Sequence, residues 1–271
     1  MKVGICTSLE KAPAAVDAGF DYVELAVSEI TSRDPWEISA YKGLPVHACN
    51  LFFPGGVKLF PANRVNEDGF NVIEYLGKAR QRLSELGVKV AVVGSGNQRR
   101  CPADIQFPYQ SDALIDTWHG AESPEEILAR YMARFKEMPG TTVPAPESLE
   151  RGETNVGSDC GTFSTVLKKY EVGYTADAFH LLREWDSNGR ENGLEIPSET
   201  YWAEQLPHAP LHVHLAQLEG RRFPQPGDPM IVGFFDRLTL LGYKGRVSLE
   251  CNQFEPTDYR QAIANVRSYF E

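Results

Sequence analysis

The chain has 271 residues, 42% of them hydrophobic and 24% charged, with a formal net charge of −10. That length suits one α/β barrel of about 250 residues and requires no second domain. The negative field argues against a nucleic-acid partner, and no apolar run approaches the roughly 20 residues of a membrane span.

The five cysteines include no C-x-x-C pair and speak for a reducing, cytosolic setting. The chain enters its first strand-like run, Lys2–Cys6, with no apolar leader before it. Further short apolar runs follow at Tyr22–Val27, Pro45–Phe53, Val88–Val93, Thr141–Ala145, Val172–Ala176, Leu211–Ala216 and Arg246–Leu249. They are β-branched and largely unalternating, as strands buried on both faces should be. Between them lie stretches with apolar spacing near 3.6 residues. Ile127, Leu128, Tyr131, Met132 and Phe135 form one stripe, opened by an N-cap serine and a first-turn proline at Ser123-Pro124. Tyr259, Ala262, Ile263, Val266 and Phe270 form the last. Gly19, Gly87 and Gly242 each stand where a helix must stop before a strand. The recurring order predicts an α/β protein, a single (β/α)8 TIM barrel spanning residues 1–271. Two polar stretches, 97–122 and 185–197, are expected as loops on the rim that carries the site.

Four acid or imidazole residues stand at the ends of the last four predicted strands: Glu147, Asp177, His214 and Glu250. A barrel brings four such ends to one mouth. Taken singly, each has a plainer use as a helix cap or salt-bridge partner. Together, three carboxylates and an imidazole make a site for one hard-to-borderline divalent ion, with Mn²⁺ the best fit and Mg²⁺, Co²⁺ or Zn²⁺ as alternatives. His212 and His214 are expected to face opposite sides of their strand, leaving His214 alone for the ion.

Residue order strengthens this reading. Glu147-Ser148-Leu149-Glu150-Arg151-Gly152-Glu153-Thr154-Asn155 resembles the Glu-Pro-Leu-Asn-Arg-Phe-Glu-Thr-Asn run of the sugar phosphate isomerase/epimerase family, the xylose-isomerase-like barrels. Asp177-Ala178-Phe179-His180 is similar to its Asp-x-x-His. His212-Val213-His214-Leu215-Ala216-Gln217, followed by Arg221-Arg222, resembles its His-x-His-x-x-Asp, and Ser248-Leu249-Glu250 its closing Ser-Ile-Glu. The resemblance implies that Glu147, Asp177, His214 and Glu250 bind the metal. It also implies that Glu147 and Glu250 are the catalytic acid–base pair, and that Glu153, His180 and either Arg221 or Arg222 bind a small sugar substrate. By analogy the barrel is a homodimer or tetramer. Ser148, Glu150 and Gln217 depart from the family pattern, and the departures leave the sugar open. His180 has a second reading, as a packed partner of Asp177.

The N-terminal half carries thinner signals. Glu24 ends the second strand, and His47 and Asn50 lie on the third. Gly94 to Arg100 ends the fourth, where glycines and Arg99 or Arg100 could meet a phosphate or distal hydroxyl. Trp36, Phe52, Trp118 and Trp185 are candidates for an apolar wall beside a sugar, although buried core is the plainer use for most of them, and His119 is a further contact from the rim loop. The same site could serve a lyase acting beside an oxidised sugar carbon. An endonuclease IV-like reading needs a cluster of zinc ligands and a basic face that six histidines and a charge of −10 do not supply. A non-catalytic binding protein would leave Glu153 and His180 without a use.

Overall fold

The computed structural model describes residues 1–39, 42–60, 70–103, 123–188, 190–252 and 255–270. The chain runs β1 (Lys2–Cys6), α1 (Ala12–Ala18), β2 (Tyr22–Ala26), α2 (Val27–Ser32), α3 (Pro35–Ser39), β3 (Val46–Asn50), α4 (Val72–Glu85) and β4 (Val90–Val93). It continues through α5 (Gly96–Arg99), α6 (Pro124–Glu137), β5 (Val143–Pro146), α7 (Cys160–Lys169) and β6 (Thr175–Asp177). The last part is α8 (Ala178–Ser187), α9 (Glu199–Gln205), β7 (His212–Leu215), α10 (Pro229–Leu240), β8 (Arg246–Leu249) and α11 (Tyr259–Arg267).

The strands are all parallel, in the order β5-β4-β3-β2-β1-β8-β7-β6, so first and last strands pair and the sheet curls into a nearly closed (β/α)8 barrel. The weak seam lies between β5 and β6, where the single bridge Glu147–Thr175 and a bond from Thr175 Oγ1 to Ala145 O join the edges. Its cause is local. Val143 and Glu147 turn their N–H groups toward β4, donating to Lys89 O and Val93 O. The alternate positions, which would donate toward β6, are Pro144 and Pro146, and proline has no N–H.

Helix boundaries follow their caps. Ser123 Oγ accepts from Glu126 N ahead of Pro124, and Asp159 Oδ1 accepts from Thr162 N at 2.7 Å to open α7. Gly19 has φ 106°, a left-handed turn that a side chain would strain, and it ends α1 as its position predicts. The main core lies between sheet and helices, with Phe52, Phe135, Phe163 and Phe234 among its buried rings. Inside the barrel, Ala48, Val90, Val92 and Ala145 pack in a separate apolar cluster. The stretch expected as a second rim loop, 185–197, instead begins inside α8. It joins that helix to α9 rather than leaving a strand, and Trp185 is buried in it.

Candidate metal centre and acid–base site

Glu147 follows β5, Asp177 ends β6, His214 lies on β7 and Glu250 follows β8. All four sit at the same end of the barrel because parallel strands end together. His214 is fully buried, and its Nδ1 lies 3.0 Å from Glu147 Oε1 and 3.1 Å from Glu250 Oε2. Glu147, Asp177 and Glu250, with His180, offer ligand-type atoms that all fall within 4.8 Å of one another.

Asp177 shows how one residue serves two ends. Its Oδ1 caps α8, accepting from Phe179 N at 2.6 Å and His180 N at 3.4 Å. Its Oδ2, buried and aimed at the site, has no hydrogen-bond partner. Burial, then the neighbouring Glu147 carboxylate, pushes the Asp177 carboxyl well above the usual range. A buried carboxyl oxygen that accepts no hydrogen bond is costly; the Arg221 guanidinium stands 3.5 Å from it, and a bound ion would meet it more closely. His214 Nδ1 hydrogen-bonds Glu147 Oε1 at 3.0 Å and lies 3.1 Å from Glu250 Oε2, spacings that ligand atoms about 2.1 Å from one ion would also keep. The residues present therefore fit one divalent ion.

Around them, Arg221 is the basic partner. Its Nη2 lies 2.6 Å from Glu250 Oε2 and 3.5 Å from Asp177 Oδ2, and its guanidinium stands 4.7 Å from the Phe179 ring centre. Burial alone would raise the Glu250 carboxyl; the positive field of His214 and Arg221 overcomes that and holds it far below the usual range. Arg222 points to solvent beside Glu219, so of the two arginines only Arg221 meets the site. Asn50 Nδ2 donates to Glu250 Oε1 at 2.9 Å. His180 is buried, its nitrogens 3.8 Å from Asp177 Oδ2 and 3.9 Å from Glu153 Oε1. Burial pulls its pKa down to about 4, so the ring is neutral at neutral pH. Glu153 is 42% exposed at its side chain and stands at the mouth.

Several expectations are corrected. His212 and His214 are two residues apart on one strand, so both face the barrel interior, as the period of two requires. His212 reaches Glu24 and Ser248, and the ligand-type atoms grouped around Asp177 include neither His212 nor His214, their one imidazole being His180. Arg99 meets no open space; it is fully buried, donating to Val93 O and Glu147 O over the Phe163 ring. The glycines before it serve close approach rather than an anion. A methyl at Gly94 would stand 2.6 Å from Glu147 Oε2, and one at Gly96 3.1 Å from Glu153 Cβ. Phe52 belongs to the outer core, Trp185 to the buried face of α8, and Trp36 is 72% exposed. Trp118 and His119 lie outside the described residues, as does most of the 97–122 loop.

Two features carried too little weight in the sequence. Glu24 is an acid inside an apolar strand, on the same parity as Tyr22, which is the signal that singled out Glu147. Gly94 is legible only once Glu147 is placed beside it. The three departures from the family run are absorbed locally. Ser148 Oγ donates to Gly157 O, Glu150 pairs with Arg183, and Gln217 donates to Asp228.

The xylose isomerase-like TIM barrel family model matches residues 12–269. Among solved structures, 3-keto-D-glucoside 4-epimerase from E. coli is 20% identical, with a TM-score of 0.63 over 99% of each chain. D-psicose 3-epimerase, solved in the presence of D-fructose, is 15% identical, with a TM-score of 0.68 over 98% of each chain. D-allulose 3-epimerase from Methylomonas sp., in complex with D-allulose, is also 15% identical, with a TM-score of 0.67 over all of this chain and 97% of that one. No curated protein matches the sequence itself.

Proposed function

The chain belongs to the xylose isomerase-like TIM barrel family, and on that premise we propose that it is a divalent-metal-dependent epimerase or isomerase of a small keto sugar. The observation that carries the reading is His214 Nδ1 held between Glu147 and Glu250 beside Asp177 Oδ2, a buried oxygen that accepts no hydrogen bond. Glu147, Asp177, His214 and Glu250 would hold the ion. When bound, such an ion polarises a carbonyl and its neighbouring hydroxyl and so acidifies the C–H between them.

The protein's own groups do the rest. Glu147 and Glu250 approach from strands on either side of β6 and β7, so a carbon placed between them has a carboxylate on each face. One removes the proton and the other returns it, and the face of return decides the product. Arg221 offers N–H donors to negative charge developing on a sugar oxygen. Neutral His180 can donate one hydrogen bond to a hydroxyl, and Glu153 can accept one at the mouth. The similarly folded sugar epimerases support the choice of substrate class. Burial of Arg99 removes one cation that a phosphate would have used.

The test is a panel of ketoses, ketose phosphates and 3-keto sugars incubated with Mn²⁺ in D₂O. Deuterium should enter at the carbon beside the carbonyl of one unphosphorylated member, with an epimer or isomer as product. Absence of exchange across the panel would remove the reading, and a cleaved product would replace it with the lyase.

A further inference from the structure

Beneath the proposed ion position, the barrel interior holds a column of polar side chains that the reaction does not use. Glu24 on β2 is fully buried and divides its carboxylate between two imidazoles. Its Oε1 lies 2.9 Å from His214 Nε2, and its Oε2 lies 3.0 Å from His212 Nε2. His212 Nε2 is 3.2 Å from Ser248 Oγ, which is 2.9 Å from the Tyr22 hydroxyl. The Tyr22 ring crosses the barrel because position 4 is glycine; a methyl there would stand 2.3 Å from the ring. Glu24, His212, His214, Ser248 and Tyr22 are all at most 1% exposed. A charge so deeply buried is tolerated only when its oxygens are bonded, and here both are.

An ionised carboxylate only accepts hydrogen bonds. The His214 nitrogen that faces Glu24 must therefore carry a hydrogen. Nδ1 faces the Glu147 and Glu250 carboxylates and by the same rule carries a hydrogen too; an ion bound there would take that hydrogen's place, while Glu24 keeps the one on Nε2. A neutral imidazole without such a partner divides between two tautomers, only one of which offers Nδ1 to an ion.

We infer that Glu24 is the positioning residue of the metal centre. It fixes the tautomer and ring orientation of His214, while His212, Ser248 and Tyr22 hold its own carboxylate in place. The inference rests on the proposed ion site but not on which sugar is turned over. Cys6, Glu24 and His214 form a competing set of ligand-type atoms within 4.8 Å of one another, in which Glu24 would itself be a ligand. The bonds favour positioning, since both Glu24 oxygens already face imidazole nitrogens and His214 Nδ1 is turned to the opposite side.

Two measurements test it. The first needs no variant: ¹⁵N-histidine NMR of the wild-type protein, with and without Mg²⁺ or Zn²⁺. His214 should keep hydrogen on Nε2 in the loaded protein, and its Nδ1 resonance should be the one that moves. The second is Mn²⁺ titration of Glu24→Gln, in which the dissociation constant should rise about 10–100-fold with the far-UV CD spectrum unchanged. Coordination through His214 Nε2, or wild-type Mn²⁺ affinity in a folded Glu24→Gln, overturns the inference. A thiolate-to-cobalt charge-transfer band on adding Co²⁺ also overturns it, because the ion would then lie against Cys6. The two readings fail separately. A wild-type protein that binds no divalent ion overturns both, whereas weakened Mn²⁺ binding in Glu24→Gln supports positioning even if no sugar exchanges a proton.

Discussion

The barrel interior is divided between two wedges of opposite chemistry. On β3, β4 and β5 the inward side chains include Ala48, Val90, Val92 and Ala145, packed against one another. On β1, β2, β7 and β8 they are Cys6, Tyr22, Glu24, His212, His214 and Ser248, joined by hydrogen bonds. Both wedges are buried, but burial does different work in each. Apolar contact in the first gains about 25 cal/mol for each Å² taken out of water. The second has no comparable gain, because each polar group only recovers in the barrel what it lost in water. Its value lies in orientation, and the wedge ends at the carboxylates of the proposed site. Stability and function are thus expected to respond to different halves of one barrel.

The largest effect should come from the mouth of the polar wedge. Glu147→Gln keeps the shape of the side chain but removes the base, and solvent exchange at the substrate carbon should fall about 10²–10⁴-fold. Far-UV CD and part of the Mn²⁺ affinity should persist. An equal loss of metal and exchange would reduce Glu147 to a ligand. Gly94→Ala is the next test, because its methyl would displace the Glu147 carboxylate from behind. A misplacement of about 1 Å costs on the order of 10²-fold in turnover. Wild-type kinetics in Gly94→Ala would show that the close approach has no role in catalysis.

In the apolar wedge the sign reverses. Val92→Ala removes two buried methyl-sized groups and leaves a cavity, so urea denaturation should show a loss of about 2–3 kcal/mol. Its Mn²⁺ affinity should match wild type. A large loss of metal binding there would break the division of labour.

The smallest effect is electrostatic and lies below the site. His47 packs edge-on against Tyr22, and burial, then Arg246, pulls its pKa down to about 4. The unfolded chain takes up that proton near pH 6.5 while the folded protein resists until about pH 4. Between those values the unfolded state binds more protons, so stability falls as pH falls. His47→Gln should flatten this slope between pH 6.5 and 4, measured by urea midpoints across the range. An unaltered slope would mean that another group carries it.

The division between wedges also explains what the sequence could and could not disclose. The outer architecture was legible because it depends on local pattern. Lys2–Cys6 and Arg246–Leu249 coincide with β1 and β8, and Ser123 caps α6 where its position predicts. Glu147, Asp177 and Glu250 were legible as candidates because an acid ending an apolar strand is conspicuous, and His214 through its place in the His-x-His run. Arg99 was misread because its partners are the carbonyls of Val93 and Glu147, the second of them 48 positions away in the chain. The strand context of Glu24 was visible, but its partners His212 and His214 lie 188 and 190 positions away. His212 was misread for a local reason, since residues two apart on a strand share a face. The β5–β6 seam could have been read from Pro144 and Pro146 by the same alternation.

The account turns on one ion at the mouth of the polar wedge. Anomalous diffraction from a crystal soaked in Mn²⁺ tests this most directly. A single peak should appear roughly 2–2.6 Å from atoms of Glu147, Asp177, His214 Nδ1 and Glu250. A peak against Cys6 and Glu24, or none at saturating Mn²⁺, would contradict it.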